Sequence, residues 1–227
     1  MEVHAVDRII DILIELEIKH FFGIPGGFMM NFFEAVHDKQ DKIMPIVPRN
    51  EWAASCMAEM YGKLTRKPGV FVAQGAFAGS IGLFGILEAF LASTPMLVLT
   101  EMSDFGPFGV YSPMQSGTGD FGSFDIKGIF KNNSKYLFVA NYPREAILGV
   151  QTAIKHAVCR KQGPSCASLE ATQSVEDSRK KAYLQFVKPD HSSHLQIPAR
   201  QRRRLKEQLT YLSKQNGPLS FRAMVSG

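Results

Sequence analysis

The sequence predicts an α/β domain built on a doubly wound, largely parallel sheet flanked by helices. Three observations carry that prediction. Short apolar runs recur along the first 170 residues, and each is separated from the next by a segment with helical apolar spacing; such alternation packs as right-handed crossovers onto one parallel sheet. Glycine and proline punctuate the breaks, most densely at Gly23-Ile24-Pro25-Gly26-Gly27, where they mark turns. The chain of 227 residues is 45% hydrophobic and 21% charged, enough apolar material to build a core without disulfide or metal.

The elements follow in order. Residues 3–19 place Val3, Val6, Ile9, Ile10, Leu13, Ile14 and Leu16 at helical spacing. Phe21 to Ile24 reads as a short buried strand, broken by the glycine turn and followed by a helix from about Phe28 to His37. Ile43 to Val47 is a second strand, and Pro45 within it argues for an edge or irregular position. A helix rich in Ala and Met runs from near Glu51 to Leu64. Val70 to Ala73 is a third strand, followed by a stretch of small residues and a helix to about Leu91. Met96 to Thr100 is the fourth strand, and Glu101 to Phe124 reads as a long loop rich in Gly, Ser and Phe, a length that is usually functional or mobile. A short helix near Asp125–Phe130, a strand at Tyr136–Val139, a helix at Pro143–Cys159 and a strand at Ser165–Leu169 complete the pattern. Ligands of such sheets sit beyond the carboxyl ends of the strands, so the loops after residues 24, 47, 74 and 100 frame the expected site.

The domain is expected to span residues 1–185. Residues 186–227 change character: Pro189, Pro198 and a Ser/His stretch read as a linker, and Arg200 to Ser213 as a basic helix that opens a second, truncated domain. Residues 179–227 hold eleven Lys/Arg against Asp190 and Glu207, a net +9, while the preceding 178 residues carry a net −4. The main domain is therefore not expected to bind nucleic acid. His191 and His194 lie in the Ser-rich linker without a cysteine pair and read as solvated, not as metal ligands. No run of eighteen apolar residues spans a membrane. Cys56, Cys159 and Cys166 form no C-x-x-C pair, which points to a reducing, cytoplasmic setting and to buried structural thiols.

Glu51 is the candidate catalytic residue. On position alone it is a carboxylate at a helix start, favoured by the helix dipole. Its apolar neighbours, Trp52, Ala53, Ala54, Met57 and Ala58, point further, to a poorly solvated carboxyl in which the neutral form is favoured. Such a group can hand a proton to a ring nitrogen. Gly26 and Gly27 lack side chains, so backbone there can approach a flat ring closely. That turn has neither G-x-G-x-x-G nor the lysine of a phosphate-binding loop.

Five motifs stand in a fixed order: Gly23-Ile24-Pro25-Gly26-Gly27; Arg49-Asn50-Glu51 with Ala53-Ala54; Ala58-x-x-Tyr61-Gly62-Lys63-x-Thr65; Lys67-Pro68-Gly69-Val70; and Thr94-Pro95-Met96. Across residues 5–170 this ordered set resembles the thiamine-diphosphate-dependent enzymes of the acetolactate synthase type, in their N-terminal, pyrimidine-binding domain. The resemblance implies that Glu51 hydrogen-bonds the aminopyrimidine ring of thiamine diphosphate and promotes its imino tautomer, which activates the thiazolium carbon toward a 2-oxo acid. It implies cofactor contacts at Pro25, Gly26, Gly27, Glu51, Gly75 and Ser80. In the family the diphosphate and its Mg²⁺ are held by a separate domain carrying a Gly-Asp-Gly motif, a motif with no match here, and the active centre forms between subunits. The resemblance thus implies half of a 2-oxo acid decarboxylase or carboligase, a fragment inactive alone, partnered by a diphosphate-binding domain of another subunit or chain in a homo- or hetero-oligomer. The first subunit of a split decarboxylase is an alternative, as is a non-catalytic interaction module with a basic tail. Flavin use is left open. Two stretches depart from the family: Ala76-Phe77 replace a Pro-Gly, which implies a cofactor contact kept in place but altered in detail, and Gly122-Ser123 replace a Gln-Glu pair, which implies a different substrate or acceptor.

Overall fold

A computed structural model of the protein describes residues 4–102, 119 and 123–170. The expected linker and second domain, and most of the 101–124 stretch including Gly122, lie outside the described residues.

Among the described residues six strands are present, β1 (His20–Gly23), β2 (Met44–Ile46), β3 (Gly69–Val72), β4 (Met96–Met102), β5 (Tyr136–Ala140) and β6 (Pro164–Glu170). They form one sheet in the order β2-β1-β3-β4-β6-β5, and every pairing is parallel. The helices among the described residues are α1 (Ala5–Glu15), α2 (Met30–Glu34), α3 (Glu51–Thr65), α4 (Gly75–Ala78), α5 (Leu83–Ala92), α6 (Ile126–Asn133) and α7 (Pro143–Val158). A 3-10 turn at Gly27–Met29 leads into α2. The doubly wound reading of the sequence is the observed architecture. Pro45 sits on the edge strand, where a missing N–H costs nothing.

Two apolar layers cover the sheet. On one face Ile9, Ile10 and Leu13 of α1, Phe32 of α2 and Val150 and Ile154 of α7 pack against Phe21, Val70, Leu97 and Leu99. On the other, Ala54 and Ala58 of α3, Ile86 and Ala89 of α5 and Ile126 and Phe130 of α6 pack against Phe22, Phe71, Met96 and Val98. The central strands β3 and β4 are buried along their whole length, which is why they read as continuous apolar runs without alternation. Among the described residues no helix is long and apolar enough to cross a membrane. Cys166 is buried, and burial pushes its thiol well up; Cys56 and Cys159 are partly exposed.

The motif Ala58-x-x-Tyr61-Gly62-Lys63 proves to be a packing device. Small residues along one side of α3 let the helix backbone lie directly on the sheet. A Cβ at Gly69 would overlap the Ala58 carbonyl, one at Gly62 would overlap the Pro95 carbonyl, and one at Gly85 of α5 would overlap the backbone of Ser55. Buried Glu59 accepts a hydrogen bond from the Thr94 hydroxyl at 3.0 Å, tying the same helix to the start of β4. Gly69→Ala is expected to destabilise the fold by about 3 kcal/mol, the upper end of overpacking costs, because the obstacle is backbone and cannot rotate away. Urea unfolding checks this; a change below about 0.5 kcal/mol would show that the seam can open at little cost.

Candidate functional site

Parallel strands place the chain exits of β1, β2, β3 and β4 on one rim, and three of the four exits carry residues that the sequence singles out. Gly23 ends β1, so close to β3 that a Cβ would overlap the Val72 carbonyl. The chain then turns through exposed Pro25 and through Gly26, whose backbone is extended. Gly27 follows with φ +53°, a conformation that favours glycine. A second constraint acts at the same residue: a Cβ on Gly27 would overlap Glu101 Oε1 and approach Gln74 Nε2 to 3.2 Å. The bare, exposed turn of the sequence reading is present, and it rests on a carboxyl group.

Glu51 stands at the next exit. Asn50, with extended backbone, caps α3 by accepting a hydrogen bond from the Ala53 amide at 2.9 Å, which satisfies one of the helix's free N–H groups. Glu51 is therefore the first helical residue. It is partly buried, and Trp52 beside it is 50% exposed and meets the Phe84 ring edge-on at 6.1 Å.

At the exit of β3, Gln74 precedes the single turn of α4. Gly75 is buried, and a Cβ there would overlap the Glu101 carbonyl and crowd Ile126 Cδ1 at 2.7 Å. The stretch of small residues after β3 is thus what lets α4 reach the end of β4. Ser80 is exposed, and its hydroxyl donates to the Ala76 carbonyl at 2.6 Å. Pro25, Gly26, Gly27, Glu51, Gly75 and Ser80 all follow strand ends on the same rim. Among the described residues no hydrogen bond or ion pair is seen between the Glu51 side chain and the glycine turn.

Sequence reasoning missed Glu101. Strand β4 runs two residues past Thr100 and carries Glu101 into the sheet, where the sequence reading had begun a loop. Glu101 is 3% exposed, and neither carboxylate oxygen has a hydrogen-bond partner. Burial pushes its pKa up to about 7; the amides of Phe28 and Met29 face it and pull the other way without closing hydrogen bonds. Desolvation outweighs them because two amides that close no hydrogen bond replace little of the lost hydration. A signal was available in the sequence only in part, since the strand's last apolar residue, Met102, lies beyond the acid.

Among the described residues no group of three or more His, Cys, Asp or Glu side chains is gathered to hold a metal ion. The recess lined by His20, Phe22, Ile46, Met57, Met60 and Tyr61 contains none of the predicted site residues. The rim thus carries a glycine turn that offers backbone without side chains, a carboxyl group at the neighbouring helix start, and beneath the turn a buried carboxyl with two unpartnered oxygens.

Comparison with known proteins gives the family. Residues 3–120 match a family model described as "Thiamine pyrophosphate enzyme, N-terminal TPP binding domain", thiamine pyrophosphate being thiamine diphosphate under its other name. The chain is similar to the acetolactate synthase large subunit of Lactococcus lactis subsp. lactis (strain IL1403), 32% identical over 140 residues that cover 60% of this chain and 23% of that protein. It is similar to the mitochondrial acetolactate synthase of Schizosaccharomyces pombe (strain 972 / ATCC 24843), 28% identical over 171 residues, 73% of this chain and 24% of the relative. A third relative is acetolactate synthase of Bacillus subtilis (strain 168), 37% identical over 95 residues, 42% and 16% of the two chains. The chain spans about a quarter or less of the length of these curated relatives.

Proposed function

The chain belongs to the thiamine pyrophosphate enzyme family, as an N-terminal TPP-binding domain, and from that premise we propose that it supplies the pyrimidine-binding half of a thiamine-diphosphate-dependent enzyme that decarboxylates or joins 2-oxo acids. The observation that supports this most is the rim itself, where a glycine turn with no side chains stands one strand away from a carboxylate at a helix start.

In this reading each residue has a definite task. Pro25, Gly26 and Gly27 form the surface against which the aminopyrimidine ring lies, and Gly75 keeps the neighbouring strand exit close enough to complete that wall. Glu51 holds a proton against the ring nitrogen. Ser80, whose hydroxyl is engaged by Ala76, takes part through its position after α4. The cofactor supplies the electron sink for cleaving the bond next to the keto carbon; the protein orients the ring and fixes the proton on it. Diphosphate and Mg²⁺ would be held by a diphosphate-binding domain on another subunit or chain, because magnesium needs oxygen ligands alongside the phosphates.

An assembly of that kind needs a docking face, and the helix pair α3 and α5 offers one. Trp52, Met60 and Leu64 follow one another at multiples of four residues on α3, and Phe84 and Leu91 stand on α5; all are exposed, Phe84 by 54% and Leu64 by 76%. Apolar patches of this kind mark interaction surfaces. Phe84→Glu is expected to weaken association by roughly tenfold or more, the effect of losing a buried aromatic anchor, while leaving stability within about 0.5 kcal/mol. Sedimentation velocity and urea unfolding read the two quantities separately.

The function is tested by calorimetry with thiamine diphosphate and Mg²⁺ in the presence of a complementary diphosphate-domain chain of the family. Saturable heat that is absent when either chain is omitted is the expected result. Unchanged heat without this chain would sink the proposal.

A further inference from the structure

Glu101 has no task in the function proposed above, yet it is a buried acid in direct contact with the glycine turn. Its side chain lies beneath Gly27, and its carbonyl lies where a Cβ on Gly75 would stand. One residue therefore abuts both glycine-lined exits of the rim. Both carboxylate oxygens are shut off from solvent and without a partner. A fold retains a buried, unpaired carboxyl against its cost to stability, and perturbed groups of that kind concentrate at functional sites.

We propose that Glu101 is a positioning residue for the ligand-facing turn: its carboxyl under Gly27 and its main chain against Gly75 fix the spacing of the two walls that receive the cofactor ring. The inference rests on the reading that this turn takes the pyrimidine ring.

The chemistry around Glu101 makes the positioning depend on charge. The elements packed against it bring neutral groups: the Phe28 and Met29 amides from the 3-10 turn, Gln74 after β3, Gly75 from α4, Ile126 from α6 and Leu169 at the adjoining register position of β6. No charged side chain contributes to its shifted titration. The two amides, which stop short of hydrogen bonds here, match an uncharged acid. Among the described residues, the donors placed to answer the charge left by loss of the proton are those two amides and the Gln74 side-chain amide, since hydrogen bonds to an ionised acceptor are shorter and stronger. Phe28 and Met29 are drawn down, and the turn that begins at Pro25 moves with them.

The experiment follows the amide protons of Phe28 and Met29 by ¹⁵N–¹H correlation spectra of the full chain between pH 5 and pH 9. Both are expected to move downfield in a single step centred near neutrality, and the step is expected to vanish in Glu101→Gln. A flat response in the wild-type chain overturns the proposal, and that measurement requires no variant to fold. The same step persisting in Glu101→Gln overturns it as well. In the two-chain assembly with Mg²⁺, thiamine diphosphate is expected to bind at least threefold more tightly at pH 6 than at pH 8.5, with the difference lost in Glu101→Gln. Equal pH dependence in both proteins removes the link between this residue and the ligand. Absence of thiamine diphosphate binding at every pH, with the spectral step intact, overturns the pyrimidine-binding reading while leaving the coupling of Glu101 to the turn established.

Discussion

Glu51→Gln is expected to lower turnover in the reconstituted two-chain enzyme by about two to four orders of magnitude, the usual contribution of a positioned acid or base. The amide keeps the shape of the side chain and loses the ability to hold a proton on the ring nitrogen. Stability should hardly change. Glu51 is partly exposed in the first turn of α3, so the substitution forfeits only its attraction to the helix N-terminus, roughly 0.3–1 kcal/mol. Asn50 continues to cap the helix in either protein. Glu51→Asp provides a second test: it keeps the charge and withdraws it by one methylene, so turnover should fall while the thermal midpoint stays. Steady-state rates of wild type and both variants decide the matter, and wild-type rates in Glu51→Gln would remove the residue from the chemistry.

The second large effect concerns stability against pH. An ordinary glutamate titrates near 4.5, and Glu101 in the folded chain titrates near 7. Between those two values the folded chain holds a proton that the unfolded chain has released. Stability therefore falls as pH rises from about 4.5 to about 7, and the contribution is flat on either side. The full difference is roughly 3 kcal/mol, from 1.36 kcal/mol for each unit of pKa. Urea unfolding at pH 5 and pH 8 should show most of that loss in the wild-type chain. Glu101→Gln, which carries no charge at either pH, should lose this part of the slope. A wild-type chain as stable at pH 8 as at pH 5 would mean that the hydrogen bonds closed on ionisation offset the cost of burying the charge in full.

Much of the fold is legible in the sequence because its strands are short, apolar and separated by helical patterns. Pro45 even identifies the edge strand. The end of β4 is where the reading stops short. Inside a strand buried on both faces there is no alternation to follow, so Thr100-Glu101 looks like the first polar residues of a loop. Only the register, Glu101↔Leu169 and Met102↔Glu170, shows that pairing continues. Gly27 is legible as a turn residue, but the reason that no side chain fits there lies 74 residues along the chain, and no local pattern encodes it. Glu51 is singled out by its motif and by its helix start, although its partial exposure is not visible in its apolar neighbours. The Ala58 to Lys63 motif is recognisable as part of a family signature, yet its physical content, a seam of close backbone contact, requires the packed structure.

That seam has a consequence for how damage would show itself. Helix α3 is gripped at Ala58 and Gly62 and carries its acid at the far end, eleven residues from Gly62. At 1.5 Å per residue the arm is about 16 Å long, so a tilt of about 5° at the grip swings the acid by roughly 1.4 Å. Displacements of that size are enough to cost a well-placed group most of its effect. Mild substitutions in the seam, remote from any ligand, should thus register first as a loss of rate in a chain that still melts cooperatively, and a screen that scores only folding would pass them as harmless.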